Sequence, residues 1–240
     1  MSNEKPVVVM GAAWYLMCRP ETAFAWAETY VDLASTGQVY MVGAFDVPLP
    51  SARSMLVAEF MALPYSTHLL MIDADMHWRP AHIRRMLSHN EPIVAAVGAD
   101  KRTGKFYAGK MGQGEGDRIK TPYDVDRGLI EVDRCGLCLV LIRRDAIEAM
   151  MAAHPNLHLH SHDRVQERLR PYFYAFFEHR AQDGWLPSED FRFCDLAREA
   201  GLKIHVDPWI ELSHIVPRAR VGRLIDHLGW TEPPEEDAAD

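Results

Sequence analysis

The chain opens on a short run of consecutive apolar residues, Val7 to Met10, closed by Gly11. With no polar alternation, such a run suits a strand buried on both faces, as in a parallel sheet. Ala23, Ala25, Trp26, Tyr30 and Leu33 then recur at roughly helical spacing behind Pro20, a residue well placed in a first helical turn. They predict a helix over 20–34. The same reading gives a strand over 38–45 (QVYMVGAF), a helix over 52–63, and a third apolar strand over 67–73 (THLLMID) that ends in an acid.

Beyond it, 80–89 reads as a helix and 91–98 (EPIVAAVG) as a fourth strand. Residues 99–127 form a glycine-rich stretch with polar strand fragments. CGLCLVLIRRD at 135–145 predicts a strand running into a helix over 146–152, and the aromatic PYFYAFFEH at 171–179 a further strand. Ser188 caps a helix whose first turn carries Glu189 and Asp190, favourable at a helix N-terminus, and which Gly201 ends in a left-handed cap. KIHVDPWIELSH completes the core, and the proline-rich, acidic 231–240 is expected to be a disordered tail.

Strand, helix, strand, helix, strand with short connections makes this an α/β chain: a mostly parallel sheet covered on both faces, with ligands beyond the carboxyl ends of the strands. Asp73 lies at such an end. At 240 residues and 48% hydrophobic the chain supports one core, so residues 1–230 are expected to form a single domain. A net charge of -8 gives no global attraction to nucleic acid or anionic lipid. No apolar run reaches the roughly 18 to 20 residues of a membrane span, and the start lacks a signal peptide's pattern, so a cytoplasmic protein is expected. Cys18, Cys135, Cys138 and Cys194 are too scattered for a disulfide framework and are expected as free thiols.

The chemistry concentrates in LLMIDADMHW. Asp73 and Asp75, one residue apart just past a buried strand, can converge on one hard cation. A nucleoside diphosphate leaving group needs such a cation, although D-x-D also occurs in ordinary loops. The run HLLMIDADMHWRPAHIRRML, together with CGLCLVLIRRDAIEAM and SEDFRFCDLAREAGLKIHVDP, resembles the GT-A glycosyltransferases over roughly residues 6 to 215, closest to small stand-alone bacterial and phage types. The resemblance implies a Rossmann-like sheet with a small antiparallel portion on the acceptor side. It also implies a hexosyltransferase using a nucleotide-sugar, UDP-linked by preference or GDP-linked, with Mn²⁺ or Mg²⁺.

Carried over by position, the resemblance implies that Asp75 ligates the metal and that Asp73 contacts metal, ribose or both. His214, in ELSHI, matches a third ligand supplied late in the chain; otherwise it is a structural histidine. Asp190 falls on the catalytic-base position beside Glu189, and both acids also suit a helix start without any catalytic role. Arg53 matches a basic residue near the donor nucleotide, or is a solvated helix-start arginine. Lys101 and Arg102 reach phosphate or acceptor, or belong to a basic loop, and Trp78 stacks on a sugar or packs in the core.

Two other features carry less. Cys135 and Cys138 have redox spacing but precede a strand rather than a helix N-terminus. His158, His160 and His162 alternate onto one side of any strand and otherwise make a solvated loop. The acceptor is open: Lys101, Arg102, Lys105, Lys110, Arg118 and Lys120 form a basic stretch that suits a hydroxymethylated DNA base, while a glycan or small molecule is the alternative. A nucleotidyltransferase lacks support, because MGAAWYLMCRP is not a glycine- and arginine-rich phosphate loop. A non-catalytic nucleotide-sugar-binding module is the remaining alternative.

Overall fold

The computed structural model describes residues 5–14, 18–45, 47–109, 123–124, 126–160, 165–181, 184–215 and 220–228. The first half runs β1 (Val7–Trp14), α1 (Pro20–Thr36), β2 (Gln38–Phe45), α2 (Leu49–Met61), β3 (His68–Asp73), β4 (Met76–His77), α3 (Pro80–His89) and β5 (Ile93–Ala96). The second half runs β6 (Ala108–Gly109), β7 (Tyr123–Asp124), β8 (Leu129–Val132), β9 (Arg134–Cys135), β10 (Leu139–Arg143), α4 (Arg144–Ala153), α5 (Glu189–Glu199), β11 (Ile204–Val206), β12 (Glu211–His214), β13 (Arg220–Arg223) and α6 (Leu224–Leu228). Among the described residues no helix is long and apolar enough to cross a membrane.

The main sheet has eight strands in the order β2-β1-β3-β10-β5-β11-β8-β7. β1 pairs in parallel with β2 and β3, and β5 with β11, while β10 lies antiparallel between β3 and β5. Most strands therefore share one direction, and the sheet is the expected mixed α/β, Rossmann-like one. Every residue of β5 is buried, as are four of six in β3 and four of five in β10, which is why these strands read as apolar runs. The acid that ends β3 sits where the apolar run stops.

Two cores lie on the two faces. Val8, Met10 and Ala12 of β1 meet Trp26 and Leu33 of α1, while Val9 meets Leu56, Val57 and Phe60 of α2. Consecutive β1 residues thus feed opposite layers. The chain leaves β1 outward to β2 and then crosses to β3 on the other side of β1. In open α/β sheets ligands bind at such a switch point, here beyond the carboxyl ends of β1 and β3. Asp73 lies there, paired with Ala13.

Arg144 fixes α2 against the sheet. Its guanidinium donates to the carbonyls of Phe60 at 3.1 Å, Leu63 at 2.6 Å and Ser66 at 2.7 Å, so the carbonyls around the helix end are tied together by a cation that also complements the helix dipole. Burial of Leu56 and Phe60 adds about 2 to 3 kcal/mol each. α2 is therefore a rigid mount for the side chains on its first turns.

One predicted strand is absent. In 171–179 the buried rings are Phe173, Phe176 and Phe177, a spacing that does not alternate. A 3₁₀ helix over Glu167–Tyr172 precedes them, and only one bridge forms, between Tyr174 and His158. Phe177 instead stacks on Phe193 of α5 at 4.9 Å. The small sheets are β13-β12-β4 and β6-β9. The 231–240 tail, and Lys110, Arg118 and Lys120 of the basic stretch, lie outside the described residues.

Candidate active site

The D-x-D residues face different partners. Asp73 ends β3, with its N–H donating to the Cys138 carbonyl at 2.9 Å and its Oδ1 accepting from Arg53 at 2.9 Å. Arg53 projects from the start of α2 and is only 2% exposed, which removes the solvated alternative for it. The same guanidinium reaches Glu189 at 3.3 Å and contacts Asp190, both at the N-terminus of α5, and it lies 6.0 Å from the ring centre of Phe177. Three carboxylates from two distant segments thus gather on one buried cation. Burial alone would lower the Arg53 pKa, but Asp190, Asp73 and Glu189 outweigh it and hold the guanidinium charged. Its Nε has no hydrogen-bond partner among the described residues.

Asp190 responds in the opposite way. Burial raises its carboxyl above the ordinary carboxylate range, and Asp73 and Glu189 push in the same direction against Arg53. Ser188 caps α5 by accepting from the Phe191 N–H at 3.3 Å, so the helix start that carries Glu189 and Asp190 is fixed. A Cβ added at Gly136 would lie 3.9 Å from Asp190 Oδ2. The C-x-x-C segment therefore supplies an open space beside Asp190 rather than a redox pair. Its thiols are free, and burial among anionic neighbours pushes Cys138 up to about 12.

Asp75 belongs to a second group. β4 pairs with β12, setting His214 opposite Met76, so His214 Nε2 comes within 3.4 Å of Asp75 Oδ1. His214 Nδ1 lies 2.9 Å from the Ala99 carbonyl, to which it donates. That leaves Nε2 facing Asp75, two acceptors that only a proton or another cation between them reconciles. Burial works against a charged His214, but the bonds to Asp75 and Ala99 outweigh it and its pKa is raised. Lys101 also contacts Asp75. Burial would raise the Asp75 carboxyl, yet the His214 and Lys101 contacts bring it down to about 2.

The predicted residues thus fall into two clusters. Arg53, Asp73, Glu189 and Asp190 come together, as do Asp75, His214 and Lys101. Asp73 is turned to Arg53 rather than joining Asp75 and His214, and among the described residues no group of three His, Cys, Asp or Glu side chains is set to hold a metal. Trp78 is corrected: it is 1% exposed, donates to Thr29 Oγ1 at 2.8 Å and meets Trp26 edge-on, a core anchor with no face for a sugar. Arg102 and Lys105 are exposed. The His158 ring packs on His160 and Tyr174, and His162 lies outside the described residues.

Sequence reading missed the Ala99 carbonyl and Gly136. The signal for Gly136 is the glycine that follows Cys135 in C-G-L-C, a spacing that alone directs toward thiol chemistry. No protein-family model matches this sequence, and no curated protein matches it. Among solved structures, A197 from STIV resembles the chain with a TM-score of 0.52 and 12% identity, covering 88% of this chain and 86% of that one. The shared property is the fold. A glycosyltransferase involved in the glycosylation of the major capsid of PBCV-1 aligns over 62% of this chain and 65% of its own, with 11% identity and a TM-score of 0.33, too loose a likeness to carry chemistry.

Proposed function

We propose that the protein is a metal-dependent glycosyltransferase that moves a sugar from a nucleotide-sugar, UDP-linked by preference, to a hydroxyl acceptor. The observation that carries this reading is the meeting of Asp73, Glu189 and Asp190 on buried Arg53 at the carboxyl end of β3. A base candidate and a donor-side acid are thereby held on one guanidinium at the sheet's switch point. Three carboxylates against one arginine leave an excess of negative charge there, and Asp75 and His214 add two donors nearby. Asp75 and His214 alone face one another, so Mn²⁺ or Mg²⁺ would have two protein donors here and would take its other oxygens from a diphosphate. When bound, the cation neutralises the charge of the departing nucleoside diphosphate.

The chain's own residues carry the other roles. On an inverting course Asp190 accepts the proton of the acceptor hydroxyl while the hydroxyl oxygen bonds to the sugar's anomeric carbon and the carbon–oxygen bond to the nucleoside diphosphate breaks, its electron pair leaving with the diphosphate. Burial keeps the Asp190 carboxyl basic enough for this, and Arg53 fixes its direction. Lys101, which contacts Asp75, would be placed to bind the diphosphate oxygens when a cation is held by Asp75.

The test is a panel of UDP- and GDP-sugars incubated with the protein in Mn²⁺ or in EDTA. Release of one nucleotide in Mn²⁺ only, lost in Asp75→Ala, is the expected result. Silence across the panel together with metal-dependent nucleotide binding would leave a binding module; silence without binding would end the donor reading.

A further inference from the structure

We propose that the open face of Trp185, with Tyr107 and the space left at Gly136, forms an acceptor platform for a neutral pyranose ring. This rests on the donor reading above. β9 pairs antiparallel with β6, setting Ala108 opposite Cys135, and the pairing continues one residue further through the Gly136 N–H, which donates to the Tyr107 carbonyl at 2.9 Å. Residues opposite one another in such a pair share a face. The face of Gly136 is that of Asp190, since a Cβ there would point at Asp190 Oδ2. Tyr107 is therefore presented on the side of β9 where Asp190 lies.

Arg134, two residues before Gly136, shares this face. Asp195 of α5 grips its guanidinium with two bonds of 2.7 Å, a planar bidentate pair that fixes its position. Trp185 lies over that guanidinium at 5.0 Å, with Phe191 at 5.7 Å. One face of the indole is thus held on a fixed cation while the side chain as a whole remains 47% exposed, as does Tyr107. Trp26 and Trp78, by contrast, are 3% and 1% exposed. Two large rings left open to water are not needed for the core, and an aromatic face matches the C–H face of a sugar.

Charge decides which ring belongs there. Asp73, Glu189, Asp190 and Asp195 pair with Arg53, Arg134 and Arg198, which leaves the acids in excess. A nucleobase could stack on Trp185, but its phosphates would be drawn toward a net negative surface, which opposes the attraction that nucleic-acid binding depends on. A neutral pyranose has no such penalty and can offer a hydroxyl to Asp190. Gly136 leaves the room through which that hydroxyl approaches.

The experiment titrates the wild-type protein with methyl pyranosides of glucose, galactose, mannose and N-acetylglucosamine, and separately with a short DNA duplex. Tryptophan emission and saturation-transfer NMR are the readouts. One pyranoside is expected to bind saturably, with affinity falling about three- to tenfold in Trp185→Ala, the scale of one aromatic contact, and less in Trp185→Phe. Gly136→Val, which fills the space while leaving both rings, is expected to abolish transfer to that sugar, and thermal melts check that each variant folds. No pyranoside binding, or binding unchanged in Trp185→Ala, overturns the platform, and DNA binding that depends on Trp185 overturns the pyranose assignment. The donor panel without acceptor reports separately: nucleotide release with no pyranoside binding sinks the platform alone, while pyranoside binding with no nucleotide binding or release sinks both the donor reading and the acceptor role.

Discussion

Arg53→Met removes the one cation that Asp73, Glu189 and Asp190 share. Arg53 is 2% exposed and its partners 27%, 16% and 19%, so the acids cannot recover full hydration when the guanidinium is lost. Breaking a buried pair in this way costs about 3 to 5 kcal/mol, and the partial exposure of the acids places this case near the lower end. At this chain length about 3 kcal/mol corresponds to a fall of roughly 6 to 12 °C in Tm. The loss should depend on pH with a definite sign. Burial already raises the Asp190 pKa, and without Arg53 it rises further, so the folded variant takes up a proton more readily than the unfolded chain. A raised folded-state pKa contributes stability at low pH that is lost as pH rises through it, so the deficit of the variant is largest at alkaline pH and shrinks in acid. Thermal unfolding of wild type, Arg53→Met and Arg53→Lys, each followed from the ordinary carboxylate range up to alkaline pH, measures this. A deficit below about 1 kcal/mol, or one equal at both ends of that range, would show that the acids are not buried around Arg53 as described.

Three further predictions follow from other contacts. Burial, with Arg143 nearby, lowers the His68 pKa to about 4 from 6.5, so the unfolded chain holds a proton that the folded protein refuses. Stability is therefore lost as pH falls from about 6.5 toward 4, by about 2 to 3 kcal/mol in all, and comparing Tm of wild type and His68→Gln across that window should show the wild type losing more. Lys101→Met should strengthen Mn²⁺ binding without nucleotide several-fold, because the ammonium no longer competes for Asp75, and should weaken binding of the metal-bound nucleotide; calorimetry reads both, and unchanged values would detach Lys101 from the site. Asp190→Asn should lower transfer by about 10² to 10⁴ while nucleotide binding changes little, a split seen in steady-state kinetics, and full activity would remove Asp190 as base.

The elements with strong local signals were legible in the sequence. β2 was read over its observed span because QVYMVGAF is β-rich and bounded by Gly37, and α3 because Pro80 starts it and Ile83 and Met86 recur on one buried face. The antiparallel insertion of β10 was not legible, since LVLIR is equally apolar in either direction and pairing partners are non-local. Aromatic content misled at 171–179, where burial follows packing on α5 rather than a pleat. The acids of the site were legible as types, but Arg53 was not legible as their centre, because its partners lie 20, 136 and 137 positions away. Trp78 follows D-x-D closely in sequence yet packs in the core, whereas Trp185, far along the chain, is 47% exposed over the Arg134 guanidinium.

The most direct test of the central claim is nucleotide release from UDP- and GDP-sugars by the wild-type protein in Mn²⁺, repeated in EDTA and with Asp75→Ala. The account predicts release from one donor, abolished by either change. Release that persists in EDTA and in Asp75→Ala, or neither release nor nucleotide binding from any donor, would contradict it.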